Sequence, residues 1–440
     1  MDRREFLRML GAATLEAAGI TGLMGSFEFA RAAITPGERG IYITDLRTAT
    51  IGGLNSNDTI IRLDTNKGIS GYGEARCEDT SALTELAALK PIILGMNPTQ
   101  IDWVFDAIKN YGDPFSHQTD IRRHTGGMSA IEMACWDITG KVYNVPVWKL
   151  LGPKLRDEIP LYCDTPQCYS ISQLRSAVQY RMNLGFTWFK MDLQRSYLHQ
   201  GTDYTLNYQS GYPYQCITIN EYGFNKWAQY AAAYRSEIGP DYPLASDHYQ
   251  NWASSANLDV PSAIQLADLM SESSYQGLNG GWMEDIIAWY YPDQLKQVTD
   301  GTDMPILTGE DMYCIEELQP LVNAGAIDYF HPDPSTFGGV HQTRLAAEWA
   351  YTQGVRTALH MSGSPFTLVC SLHITAGTPE FLALEHHYID VSWWESLVDG
   401  IEKPIVQNGY AAVPQGPGLG IEPNAAAISA HLATGGYFTQ

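Results

Sequence analysis

Positive charge is scarce in this chain: among its 440 residues, 27 lysines and arginines stand against 49 aspartates and glutamates, a net charge of −22. That balance argues against nucleic acid or an anionic membrane surface as a partner, and any anion site would need local cations or a metal. Cysteine is sparse and scattered, with seven residues (77, 135, 163, 168, 216, 314 and 370) and no repeated pair spacing. Zinc ligation is therefore not indicated, and most of these thiols read as small buried hydrophobes. Internal repeats and low-complexity runs are also missing. Past the N-terminus, no stretch is long and apolar enough to span a membrane.

The N-terminus reads differently from the rest. Arg3-Arg4-Glu5-Phe6-Leu7 precedes an apolar stretch from Met9 to Met24, and Ala30-Arg31-Ala32 offers small residues for cleavage. Residues 1–32 are expected to be a twin-arginine export signal, which would carry an already folded protein out of the cytoplasm, to the periplasm or beyond.

Two domains follow, with a C-terminal tail. Residues 33–157 begin with alternating, strand-like runs (Ile41 to Leu46, Thr59 to Asp64, Gly71 to Glu74) and continue with helical periodicity around Ser81–Leu94, Thr99–Lys109 and Met128–Val142. Strands first and helices after describe a small α+β domain. Residues 158–400 instead alternate short apolar runs with helix-like segments. The strand ends fall at Asp164, Lys190, Asp247, Glu284, Glu310, Asp333, His360 and Glu385, and from Asp247 onward the intervals are 37, 26, 23, 27 and 25 residues. One strand plus one helix per interval, eight times, predicts an α/β fold: a (β/α)₈, TIM-like barrel with an N-terminal α+β capping domain. An open doubly wound sheet is disfavoured, because no Gly-rich phosphate loop follows the first strand. Residues 401–440 are expected to pack back on the cap. The long interval before Asp247 contains a Tyr-rich insertion, residues 195–215, which reads as a surface loop.

The strand ends carry the chemistry. Asp333 and His360 end consecutive strands, and neighbouring ends of a parallel barrel share a rim, so the carboxylate can orient the imidazole and prepare it as a general base. Asp247, Glu284 and Glu310 end three consecutive strands. Their mutual repulsion is relieved by a hard divalent cation, which points to one Mg²⁺ per subunit, with Mn²⁺ as the alternative. A metal beside a histidine base suits removal of the proton next to a carboxylate, where the cation stabilises the resulting enediolate. Glu385, on the last strand, is placed to hydrogen-bond the substrate or its enediolate. His386 and His387 are left as structural.

These motifs resemble the enolase superfamily, specifically its mandelate racemase/muconate-lactonizing branch. SAIEMACWDITGK (Ser129–Lys141) is similar to that branch's capping-domain signature, VPVWKLLGP and PGLGIE to its later segments. The resemblance implies Asp247, Glu284 and Glu310 as metal ligands, Asp333 and His360 as a His-Asp dyad, and Glu385 as the eighth-strand acid. It also implies a homo-oligomer. One departure stands out: where the mandelate racemase subgroup often has Lys-x-Lys, this chain has Lys190-Met191-Asp192. Lys190 is then expected to neutralise the substrate carboxylate or to pair with Asp192, and two-base racemisation loses a base. With His360 as the base, the expected reaction is dehydration of an acid sugar to a 2-keto-3-deoxy acid. The alternatives are an epimerase or racemase, a sugar-lactone cycloisomerase, and a non-catalytic exported sugar-acid binding protein.

Overall fold

The structure, a computed structural model, describes residues 40–54, 58–76, 81–109, 125–166, 168–192, 218–248, 258–274 and 281–439. The export signal and the Tyr-rich insertion lie outside them. The cap opens with three antiparallel strands, β1 (Ile43–Ile51), β2 (Asp58–Thr65) and β3 (Ser70–Ala75), and continues with helices α1 (Ser81–Ile93), α2 (Ile101–Lys109), α3 (Thr125–Tyr143) and α4 (Val147–Leu151). Helix α3 lies directly on β3. A Cβ on Gly71 would meet the Ala134 carbonyl oxygen at 2.2 Å, and one on Gly73 the Ala130 oxygen at 2.0 Å, so only glycine permits this approach.

The barrel follows as β4 (Glu158–Cys163), α5 (Ile171–Asn183), β5 (Phe189–Asp192), α6 (Glu221–Ile238), β6 (Leu244–Asp247), α7 (Val260–Ser274), β7 (Met283–Glu284), α8 (Pro292–Gly301), β8 (Ile306–Thr308), α9 (Cys314–Ala324), β9 (Tyr329–Phe330), α10 (Gly339–Thr352), β10 (Arg356–Leu359), α11 (Pro365–Thr375) and β11 (Phe381–His386). Strands β4 to β11 pair in parallel in chain order, and β11 closes on β4 through Leu384↔Leu161 and Glu385↔Tyr162. The (β/α)₈ expectation is thus met. In the tail, β12 (Val398–Asp399) pairs with β14 (Glu422–Pro423) and β13 (Tyr410–Ala412) adds antiparallel to β4. Helix α12 (Ala425–Ala430) leads into β15 (Leu432–Thr439), which pairs antiparallel with β1 and completes the cap sheet.

Period-two alternation builds the barrel interior. One apolar or aromatic side chain on each strand, or immediately before it in the cases of Trp188 and Trp282, forms a floor: Tyr162, Trp188, Ala245, Trp282, Leu307, Tyr329, Ala358 and Ala383. Two residues further toward the C-terminal rim, seven strands present a polar group instead: Asp164, Lys190, Asp247, Glu284, His331, His360 and Glu385, all buried. On β8 that step is Gly309, and Glu310 follows it. A ring of ionisable groups therefore rests on an apolar floor.

Buried carboxylates of the cap bolt it to the barrel. Glu132, on α3, accepts from the Val340 N–H (2.6 Å), the His341 N–H (2.9 Å) and the Trp136 indole (2.7 Å), and so caps the N-terminus of α10. Glu74, at the end of β3, accepts from the backbone and hydroxyl of Ser364 (2.7 and 2.6 Å) and of Thr367 (3.1 and 2.8 Å), capping α11. Asp137 accepts from the Leu419 N–H (2.8 Å) and the Tyr72 N–H (3.0 Å) and pairs with Lys141 (2.9 Å), tying the tail to the cap. The signature segment Ser129–Lys141 thus holds the two domains together. Gly339, with φ of +85°, answers Glu132: a Cβ there would lie 2.1 Å from the Glu132 carboxylate.

Candidate active site

The ring at the C-terminal rim divides into two connected halves. In the first, His360 Nδ1 lies 2.7 Å from Asp333 Oδ2. Asp333 is locked from its other side by the Ser335 N–H (2.8 Å) and hydroxyl (2.6 Å), both on Oδ1. His360 turns Nε2 toward Glu310 (3.1 Å) and Glu385 (3.6 Å). Burial pulls the His360 pKa down to about 4, against the raising effect of Glu385 and with the help of Arg76. Burial opposes the Asp333 charge, but the His360 hydrogen bond and charge, Arg76 and the Ser335 hydroxyl together outweigh it and hold that carboxyl below its ordinary value. Arg76 comes from the cap, immediately after β3. Its Nη1 sits 3.2 Å from His360 Nδ1 and 3.5 Å from Asp333 Oδ2, in a buried position.

In the second half, Lys190 Nζ contacts Glu385 (2.7 Å), Glu284 (3.3 Å) and Asp247 (3.5 Å). The expectation that Lys190 pairs with Asp192 gives way to this arrangement: Lys190 faces the barrel axis two residues beyond Trp188, where the three acids are. Burial disfavours its charge, yet Glu284 and Glu385 overrule that and push its pKa well above the usual lysine value. Burial likewise opposes ionisation of Glu385, but Lys190 and then His360 keep that carboxyl well below its ordinary range. Glu284, drawn by Lys190 and His331 against its own burial, is pulled down to about 2.

Asp247 and Glu310 behave oppositely. Burial pushes both well above the usual carboxylate range, reinforced at Asp247 by Glu284 and at Glu310 by Asp311 and Asp285. This half is short of positive charge, which is the chemistry of a divalent-cation site. Glu284, Glu310 and His331 each present a donor atom within 4.8 Å of the others, a spread that one ion can span. Asp247 joins Glu284 through their shared contact with Lys190. The carboxylate-rich donor set fits a hard cation such as Mg²⁺.

Three residues at this rim are not among the candidate site residues read from sequence. His331 lies 3.2 Å from Glu284, 3.8 Å from Glu385 and 3.2 Å from the Tyr162 hydroxyl. Counting two residues on from the floor residue Tyr329 finds it, whereas counting strand ends stops at Asp333. Arg76 carries no periodic signal, since its partners lie 257 and 284 positions downstream. His387 is the third: Nδ1 stands 3.3 Å from Asp164 and 3.8 Å from Glu385. By contrast, His248 points away from the axis, bonded to the Ser246 hydroxyl (3.0 Å) and packed on Trp227.

A capped (β/α)₈ barrel with buried acids, a lysine and a His-Asp pair at its C-terminal rim has the architecture of an enolase-type protein. The family model described as enolase C-terminal domain-like matches residues 173–427, and the mandelate racemase/muconate lactonizing enzyme N-terminal domain matches residues 47–152. The chain belongs to the mandelate racemase/muconate-lactonizing branch of the enolase superfamily. It is 28% identical over 409 residues to the D-xylonate dehydratase of Haloferax volcanii, covering 91% of each chain. It is also 28% identical over 425 residues to a D-galactonate dehydratase family member of Musicola paradisiaca, covering 90% of this chain and 95% of that one. Among solved structures, a mandelate racemase/muconate lactonizing enzyme-like protein of Rubrobacter xylanophilus superposes with a TM-score of 0.80 at 24% identity, over 91% of this chain and all of that one. The 3,6-anhydro-D-galactonate cycloisomerase of Zobellia galactanivorans gives 0.74 at 21% identity, over 89% of this chain and 100% of its own.

Proposed function

We propose that this protein is a divalent-metal-dependent acid-sugar dehydratase, which removes the proton α to a carboxylate and eliminates the β-hydroxyl to give a 2-keto-3-deoxy acid. The observation that carries the reading is the His360–Asp333 pair, held at 2.7 Å against the buried acids of the rim. The D-xylonate and D-galactonate dehydratase names of the relatives support the substrate class. Asp333 fixes Nδ1 of His360, so Nε2 takes the α-proton. Arg76 holds a permanent positive charge beside that base for the substrate's carboxylate. Lys190 keeps Glu385 ionised as an acceptor for substrate hydroxyls. Asp247, Glu284 and Glu310 would hold the metal, which when bound supplies Lewis-acid stabilisation of the charge developing on the carboxylate. Asp192, in place of a second lysine, favours elimination over epimerisation.

Proton NMR in D₂O, with Mg²⁺ and pooled aldonic and aldaric acids, tests this. Loss of an α-proton signal with new C3 methylene signals is expected, and His360→Asn should abolish both while leaving metal binding intact. Turnover retained in that variant rules out the base. Export of the folded protein through residues 1–32 is also proposed. Replacing Arg3 and Arg4 by lysine should trap it in the cytoplasm, and unchanged export of that variant would refute the signal.

A further inference from the structure

Elimination needs a proton for the departing hydroxyl as well as a base for the α-proton, and His387 with Asp164 forms a second imidazole–carboxylate pair on the same rim. We infer that His387 is the acid that protonates the leaving β-hydroxyl, with Asp164 as its positioning residue; this rests on the dehydratase reading above. Four adjacent strands carry the arrangement. Asp333 follows β9 and His360 follows β10; Glu385 lies on β11 with His387 just beyond it, and Asp164 follows β4, the strand on which β11 closes. Both imidazoles present Nδ1 to an aspartate, at 2.7 Å in His360 and 3.3 Å in His387. Both also flank the same carboxylate: His360 lies 3.6 Å from one oxygen of Glu385, and His387 lies 3.8 Å from the other. They differ in the nitrogen that faces Glu385: it is Nε2 in His360, but in His387 it is the same Nδ1 that meets Asp164, so Nε2 of His387 is engaged by neither acid.

Position separates their tasks. The alternation that turns Ala383 and Glu385 inward also turns His387 inward, one step nearer the mouth. The His360 side chain is 4% exposed and that of His387 is 13% exposed. A deep base meets Cα beside the acids, and a shallower acid meets the next carbon along the chain. The step balances. The Cα–H bond breaks and its proton goes to His360 Nε2; the Cβ–O bond breaks with its electron pair on oxygen, and the proton from His387 Nε2 completes water. The enol left behind becomes the 2-keto-3-deoxy acid, and the imidazoles exchange protons with solvent before the next turnover. His386, the neighbour in sequence, faces outward against Trp394 at a ring separation of 5.2 Å and takes no part.

The test uses the full-length protein with Mg²⁺, the aldonate that the pooled screen finds best turned over, and its 3-deoxy-3-fluoro analogue. In His387→Asn, elimination of water should fall about 10²–10⁴-fold, the usual contribution of a positioned acid. Exchange of the α-proton for deuterium in recovered substrate should persist. Fluoride, which leaves without a proton, should still be lost at close to the wild-type rate. Asp164→Asn should show the same split more weakly, and a variant that had merely lost its fold would lose all three signals. Water elimination at the wild-type rate in His387→Asn would overturn the assignment, as would loss of fluoride elimination together with exchange in a variant whose melting curve matches wild type. Wild-type protein that neither exchanges the α-proton of any acid in the pool nor eliminates water from it would instead overturn the dehydratase reading, and with it this role.

Discussion

Gly339→Ala tests the bolt between cap and barrel most directly. The added methyl carbon would lie 2.1 Å from Glu132 Oε2, 2.8 Å from its Cδ and 3.0 Å from its Cβ, so the whole carboxylate arm must move. Once displaced, it releases the N–H groups of Val340 and His341 and the Trp136 indole. Each donor left buried and unpaired costs about 1–3 kcal/mol. Holding alanine at a φ of +85° adds about 1–2 kcal/mol. With two or three donors affected, the loss is about 3–11 kcal/mol, against roughly 5–15 kcal/mol for a typical domain. At about 2.1 cal/mol/K per residue over about 400 residues, each degree corresponds to about 0.8 kcal/mol, so the melting temperature should drop by about 4–13 °C. Circular dichroism melts of the wild type, both single variants and the Glu132→Ala/Gly339→Ala double variant are the assay. Because truncating Glu132 makes room for the methyl group, the double variant should cost less than the sum of the singles. A Gly339→Ala protein that melts within a degree of wild type, or strict additivity in the cycle, would refute the reasoning.

Other outcomes follow from the site and the cap. Added Mg²⁺ at a hundredfold excess over its dissociation constant should stabilise the protein by about 2.7 kcal/mol, raising the melting temperature by about 3 °C; Glu310→Gln should erase that rise in thermal melts. Glu85 is pushed up from 4.5 to about 8 by burial, against the Gly127 and Met128 N–H groups that favour its charge. Its proton is lost on unfolding between those values, so it makes stability fall as pH rises from about 4.5 to about 8. Glu85→Gln should flatten melting temperature against pH across that window, and an unchanged slope would exclude Glu85 as a source.

The strand ends were legible because each barrel strand is short and closes its apolar run with an ionisable residue, a pattern that survives without contacts. Asp247, Glu284, His360 and Glu385 all stand two residues beyond a floor side chain, so local periodicity alone puts them on the rim. His331 obeys the same rule but is masked by the Pro332-Asp333 that follows it. The partner of Lys190 was not legible. Asp192 is its near neighbour in sequence, and only closure of β11 on β4 brings Glu385 to 2.7 Å. Arg76 and His387 depend on the same long-range geometry: one is carried in by a separate domain, the other is set by inward alternation at the closing strand. The cap signature was legible as a motif, but its physical reason, carboxylates that cap barrel helices, exists only once both domains are folded.

The pairing of β15 with β1 has a consequence for how the protein is made. Thr48 is matched to Thr439, and Thr50 to Thr434, so the first strand of the cap waits for a partner that follows the whole barrel in the chain. Until then β1 has an open edge, and the sheet from which Glu74 and Arg76 reach the barrel is unfinished. Completion of the cap sheet therefore waits until the whole barrel has been synthesised. A chain without β15 would carry every residue of the rim and still lack the completed sheet that presents Arg76 to His360.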